Sequence, residues 1–114
     1  MHETSLAGGV LTVVEQAAAR EHFCRVSTLH LEVGALAGVE VRALRFALEA
    51  IAPGTCLEGA LLEIEETAGS AWCLDCNASV SISSRTENCP RCGGARLHPT
   101  GGTEIRVVDL IVHD

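Results

Sequence analysis

The sequence predicts an α+β fold: two helices packed on a small three-stranded mixed sheet, with a zinc-ribbon-like four-cysteine insert before the last strand. Three observations predict it. Apolar residues recur at helical spacing in two segments and alternate at period two in three others. Between them, from 70 to 102, both patterns give way to glycine, proline and paired cysteines. At 114 residues the chain is one domain or one domain with a small attachment, too short for a multi-domain enzyme.

Leu6, Val10, Val13, Val14 and Ala17 lie on one helical face, with Thr4 or Ser5 as the cap, so a first helix is expected from about Ser5 to Arg20. Gly8 and Gly9 fall inside it, each costing about 1 kcal/mol relative to alanine, which predicts a weak end or a close contact there. Ser27, Leu29, Leu31 and Val33 then alternate with Val26, Thr28, His30 and Glu32, the pattern of a half-buried strand. Gly34 and Gly38 bracket a turn. Val41, Leu44, Leu48 and Ile51 mark a second helix that ends before Pro53-Gly54. Leu62 and Ile64, alternating with Glu63 and Glu65, give a second strand, and 103–113 reads as a third that returns to the same sheet. The expected division is therefore an α/β domain over 1–69 and 103–114, and an insert over 70–102.

Composition excludes several functions. All eight basic residues are arginine, and they face fifteen acids for a formal charge of -7, so no nucleic-acid partner is expected. Without lysine there is neither Schiff-base chemistry nor a P-loop. No nucleophile-base pair, carboxylate pair or open metal site stands out, so an enzyme is not expected. The opening residues carry no basic stretch, and the uncharged run from Thr4 to Val14 is broken by two glycines; neither a signal peptide nor a membrane span is expected, and the chain reads as cytoplasmic.

In a reducing compartment six cysteines are not a disulfide framework. Cys73-Leu-Asp-Cys76 and Cys89-Pro-Arg-Cys92 stand twelve residues apart, the spacing of two knuckles that close four sulfurs around one ion. With every position filled by protein, no place is left for substrate, and structural zinc fits best; rubredoxin-like iron and redox disulfides are the alternatives. Cys24 and Cys56 have no motif and are expected as small buried hydrophobes.

His2 behind Met1 predicts retention of the methionine and a free α-amine. That amine, the intervening amide nitrogen and the imidazole can chelate Ni(II) or Cu(II) in a square plane, with Glu3 adding a nitrogen or a carboxylate. A solvated terminus is the plainer alternative.

Met1-His2-Glu3-Thr4-Ser5-Leu6, the stretch from Leu31 to Val39, Ala43-Leu44-Arg45-Phe46, the knuckles ending in Cys92-Gly93-Gly94, and Gly101-Gly102-Thr103-Glu104-Ile105 together resemble the HypA/HybF family of hydrogenase nickel-incorporation proteins. The resemblance covers essentially the whole chain in order and spacing. It implies a metallochaperone that delivers transferable Ni(II), with a HypB-type GTPase, to the [NiFe] hydrogenase large subunit, or in some organisms to urease. It also implies a nickel site at Met1, His2 and Glu3 and a zinc site at Cys73, Cys76, Cys89 and Cys92. His98 is a further candidate nickel ligand or a plain surface histidine. Glu40 either supports the nickel site or complements a helix N-terminus. The rival functions are a rubredoxin-like electron carrier and a zinc-ribbon adaptor that binds only protein.

Overall fold

The computed structural model describes residues 2–113. Its elements run α1 (His2–Glu21), β1 (Arg25–Gly34), α2 (Val41–Ile51), β2 (Leu61–Thr67), β3 (Gly69–Cys73), β4 (Ala78–Ile82), β5 (Leu97–Gly101) and β6 (Ile105–His113). They form two three-stranded sheets, ordered β2-β1-β6 and β4-β3-β5.

Both expected helices are present. The first opens at His2, not near Ser5, because its first turn is held from outside: the Glu40 N–H donates to the Glu3 carboxylate at 3.1 Å. Its buried stripe is Ala7, Val10 and Val14, while Val13 stays half exposed. Gly8 and Gly9 lie on the open side, where an added Cβ would meet nothing within 4 Å, so no close contact explains them. The helix ends with His22 at φ 59° and a Phe23 N–H bonded to the Ala18 carbonyl at 3.2 Å, a Schellman arrangement closed by histidine in place of glycine. The second helix buries Leu44, Ala47 and Leu48 and stops where the sequence predicts, before Pro53-Gly54. Glu40 is its N-cap and accepts from the Ala43 N–H at 3.1 Å.

Along β1, Leu29, Leu31 and Val33 are buried at period two, and Val26 joins them off parity. The Ser27 hydroxyl donates to the Ile111 carbonyl and the Gly34 N–H to the Glu104 carbonyl, so β6 runs antiparallel to β1. At the other side, Val26 bonds Cys56 and Ala35 bonds Thr67 in the same sense, as the crossover through α2 requires. The Arg45 guanidinium fastens α2 to β2 through the Leu62 carbonyl at 2.9 Å.

The second sheet is the part that periodicity did not resolve. Its strands are five residues each and carry Gly, Ser, Thr and Pro beside the apolar positions. Register settles their faces: Ala71 opposes Val80 and Pro99, while Trp72 opposes Ser79 and His98. Ala71, Cys73, Val80 and Ile82 point inward to a cluster completed by Cys89 and Leu36, with Trp72 on the solvent side.

The chain forms two compact units. One comprises the described residues up to Leu31, Val39–Ile64, and the residues from Val107 on; the other comprises Glu32–Gly38 and Glu65–Arg106.

Candidate metal centre

Cys73 ends β3, and the chain turns through Leu74, Asp75 and Cys76 into β4 by way of Asn77 at φ 52°. The second pair sits in a loop closed by two backbone bonds of 2.8 Å, Cys89 N–H to Gly94 and Gly93 N–H to Cys89, with Gly93 at φ 75°. In each knuckle backbone amides point at sulfur. The Cys76 N–H donates to Cys73 Sγ, the Arg91 N–H to Cys89 Sγ and the Gly94 N–H to Cys92 Sγ, each at 3.4 Å. A thiolate is the form such donors stabilise.

The four sulfurs lie within 4.8 Å of one another, with Cys73 to Cys92 at 3.7 Å and Cys76 to Cys89 at 3.8 Å. An ion bonded at ~2.3 Å to four sulfurs at the corners of a tetrahedron needs them ~3.8 Å apart. Those two separations match it, and the other pairs, none beyond 4.8 Å, lie within about 1 Å of it. All six cysteines are unbridged, and these separations far exceed the ~2.05 Å of a disulfide. Cys73 and Cys89 are buried at the core side, while Cys92 is exposed, so the group has an inner and an outer edge.

The thiols are not equivalent as acids. The Cys92 N–H bonded to Cys89 pulls that thiol down to about 6. Hydrogen bonding with the Cys92 sulfur, then burial, pushes Cys76 up to about 12. One member of the set is thus ready to ligate at neutral pH, and another ionises only when a cation compensates it.

The remaining candidates lie elsewhere. Met1 is outside the described residues. His2 begins α1 with an exposed imidazole, its Nδ1 3.9 Å from the Glu3 carboxylate. Glu3 is largely covered, and the Glu40 N–H holds its carboxyl below the ordinary range. Glu40 complements the helix N-terminus as one reading of it expected, capping α2 with its side chain, and its backbone N–H also bonds Glu3. His98 lies on β5 in the other compact unit, exposed and opposite Trp72. The burial expected of the two remaining cysteines does not hold. Cys24 is exposed, because it falls in the short link after the helix stop at His22, and Cys56 is only half-buried. Burial, with the charge of Glu15, pushes the Cys56 thiol up.

Sequence reasoning missed Asp75 and Arg96, which join the knuckles at 2.6 Å. An acid between two paired cysteines and an arginine just past the other pair were the available signal.

Compared with known protein families, residues 1–112 match the model described as "Hydrogenase/urease nickel incorporation, metallochaperone, hypA". The chain belongs to the HypA family. The "Hydrogenase maturation factor HypA" of Cupriavidus necator is 65% identical over 114 residues, covering 100% of this chain and 96% of the relative. That of Polaromonas naphthalenivorans is 62% identical, covering 100% and 99%. The solution structure of the Ni metallochaperone HypA from Helicobacter pylori shares the fold, with a TM-score of 0.69 at 18% identity over 96% of each chain. A second HypA solution structure gives 0.70 at 19% identity, over 99% of this chain and 97% of that one. Membership of the HypA family makes this a nickel-incorporation metallochaperone of hydrogenase maturation carrying a four-cysteine metal site. Among the described residues no helix is long and apolar enough to cross a membrane.

Proposed function

We propose that the chain binds Ni(II) at its opening residues and hands it, with a HypB-type GTPase, to the [NiFe] hydrogenase large subunit, while zinc stays in the four-cysteine site. The ligands for nickel are the Met1 amine, the His2 imidazole and backbone nitrogens of the first residues, with Glu3 beside them. The observation that carries this reading is the placement of His2: exposed, and in the first turn of α1. The first N–H groups of a helix have no intrahelical acceptor, so amide nitrogens there are free to lose a proton to a metal. The Glu3 to Glu40 bond holds the first described turn in place, and the His2 imidazole still faces solvent, as a transferable cargo requires. Zinc suits the other site because four thiolates leave it no open position and make its binding energy folding energy for the second sheet. Delivery is binding and release, without catalysis by this chain, in the cytoplasm where apo-hydrogenase is assembled.

Nickel titration of the untagged protein tests this beside His2→Ala and a variant with one residue added before Met1. The wild type binds nickel, both variants lose most of that binding, and zinc remains at one per chain throughout. Equal nickel binding by all three overturns the assignment. A pull-down against the GTPase and against apo-hydrogenase and apo-urease subunits identifies the recipient.

A further inference from the structure

The two cysteine knuckles come from separate stretches of chain, and three protein hydrogen bonds that join them converge on Arg96. Its carbonyl accepts from the Leu74 N–H at 3.0 Å. Its guanidinium donates twice to Asp75 Oδ1, from Nη2 at 2.6 Å and from Nε at 3.0 Å. Leu74 and Asp75 are the two residues between Cys73 and Cys76, and Arg96 follows Cys92 by four. The other Asp75 oxygen faces the second knuckle. A Cβ added to Gly94 would stand 2.7 Å from Asp75 Oδ2 and 3.2 Å from Cys92 Sγ. The carboxylate therefore lies against the backbone that carries Cys92, in space that only glycine leaves open.

We propose that Asp75 and Arg96 form a tie across the two knuckles that sets how fast the four-sulfur site gives up its metal. The inference rests on the four-cysteine group being a metal site. Both are positioning residues, acting through the thiolates they hold together. An ion bound by four sulfurs leaves as ligands let go in turn, and the exposed Cys92 edge is where a competing chelator first reaches it. Losing Cys92 requires the second knuckle to move away from the first, which the tie opposes. The pair is solvent-exposed on both sides. A pair of that kind shifts an equilibrium by at most about fivefold, so the expected effect is about two- to fivefold in rate.

A purely electrostatic role makes a different prediction. Four thiolates around a divalent ion carry net negative charge, so a neighbouring cation would slow metal loss and a neighbouring anion would hasten it. Under that scheme, removing Arg96 and removing Asp75 have opposite effects. As a tie, they have the same effect.

Cobalt(II) loaded anaerobically into the full chain tests this, because its tetrahedral thiolate absorbance reports both the site and its occupancy. Wild type, Asp75→Asn, Arg96→Gln and the exchanged pair Asp75→Arg/Arg96→Asp are mixed with excess EDTA. Each is expected to hold one cobalt per chain with the same absorbance band. Both single variants lose it about two- to fivefold faster, the exchanged pair recovers part of the difference, and high salt accelerates the wild type but neither single variant. Loss from Asp75→Asn at or below the wild-type rate overturns the tie, as does salt that leaves the wild type unchanged. A wild-type chain that takes up no cobalt overturns the metal-site reading beneath it.

Discussion

The Glu40 backbone N–H donates to the Glu3 carboxylate at 3.1 Å, so the residue that caps α2 also anchors the first turn of α1. This bond favours the charged form of Glu3, with weaker help from the chain's own amine and from His2. A carboxyl whose folded pKa is lowered contributes stability that is complete above its unfolded pKa and is lost as pH falls through the folded value. The Glu40 amide resonance should therefore titrate with a midpoint below the ordinary 4.5 of a glutamate and lose exchange protection as it does so. In Glu3→Ala the amide should be unprotected at every pH. Protection that survives in Glu3→Ala would show that another group holds the turn.

Gly8 and Gly9 should be improvable. Both lie mid-helix and exposed, and an added Cβ at either meets no neighbour. Glycine in a helix interior is worse than alanine by about 1 kcal/mol. Gly8→Ala and Gly9→Ala should each raise the unfolding midpoint, and the pair should add. Gly34→Ala should do the reverse, because its Cβ would overlap the Gly102 carbonyl, a residue itself at φ 72°. Thermal denaturation orders the four variants against the wild type, and a destabilised Gly8→Ala would contradict the open surface seen there.

Metal removal should be local and favoured by acid. Protons compete for thiolates, so the metal is held less firmly as pH falls, with Cys76, pushed up to about 12, the least willing to ionise alone. Cys73 and Cys89 belong to the buried cluster beneath β3 and β4, so losing the ion should loosen that sheet. The single tryptophan, Trp72, lies on β3 and reports it, whereas both helices contain no ligand cysteine. Chelation should shift Trp72 emission while far-UV circular dichroism keeps most of its helical signal. A Trp72 spectrum indifferent to chelation would mean the sheet stands without the metal.

The second helix was legible to the residue, because Val41, Leu44, Leu48 and Ile51 mark one face and Pro53-Gly54 ends it. The start of α1 was not: what fixes it is the bond between Glu3 and Glu40, 37 residues apart, and no local pattern carries that. Strands β3, β4 and β5 escaped notice for a related reason. Their inward positions are Ala71, Cys73, Val80, Ile82, Leu97 and Pro99, too few and too mixed within five-residue strands to repeat the leucine alternation of β1. The cysteine spacing, by contrast, foretold the four-sulfur group directly, since two knuckles leave few other arrangements. Cys24 misled because cysteine is usually buried, and only the position of the helix stop at His22 shows why this one is not.

Leu36 reads in the sequence as part of a turn between Gly34 and Gly38, yet it is 2% exposed. Its N–H donates to Gly102 and its carbonyl accepts from Arg85 Nε at 2.9 Å, which fixes the side chain over Gly69. A Cβ on Gly69 would stand 2.6 Å from Leu36 Cγ, so the leucine occupies the space that the missing side chain leaves. Its neighbours in the cluster are Ala71, Cys73, Val80, Ile82 and Cys89, of which only Ile82 matches it in size. A small cluster cannot collapse far into a hole, so Leu36→Ala should cost about 2–5 kcal/mol, while the volume-conserving Leu36→Met should stay below about 1.5 kcal/mol. Denaturant unfolding followed by Trp72 emission, with the metal saturating, measures both. Equal losses in the two variants would mean that Leu36 is peripheral to the sheet that carries the cysteines.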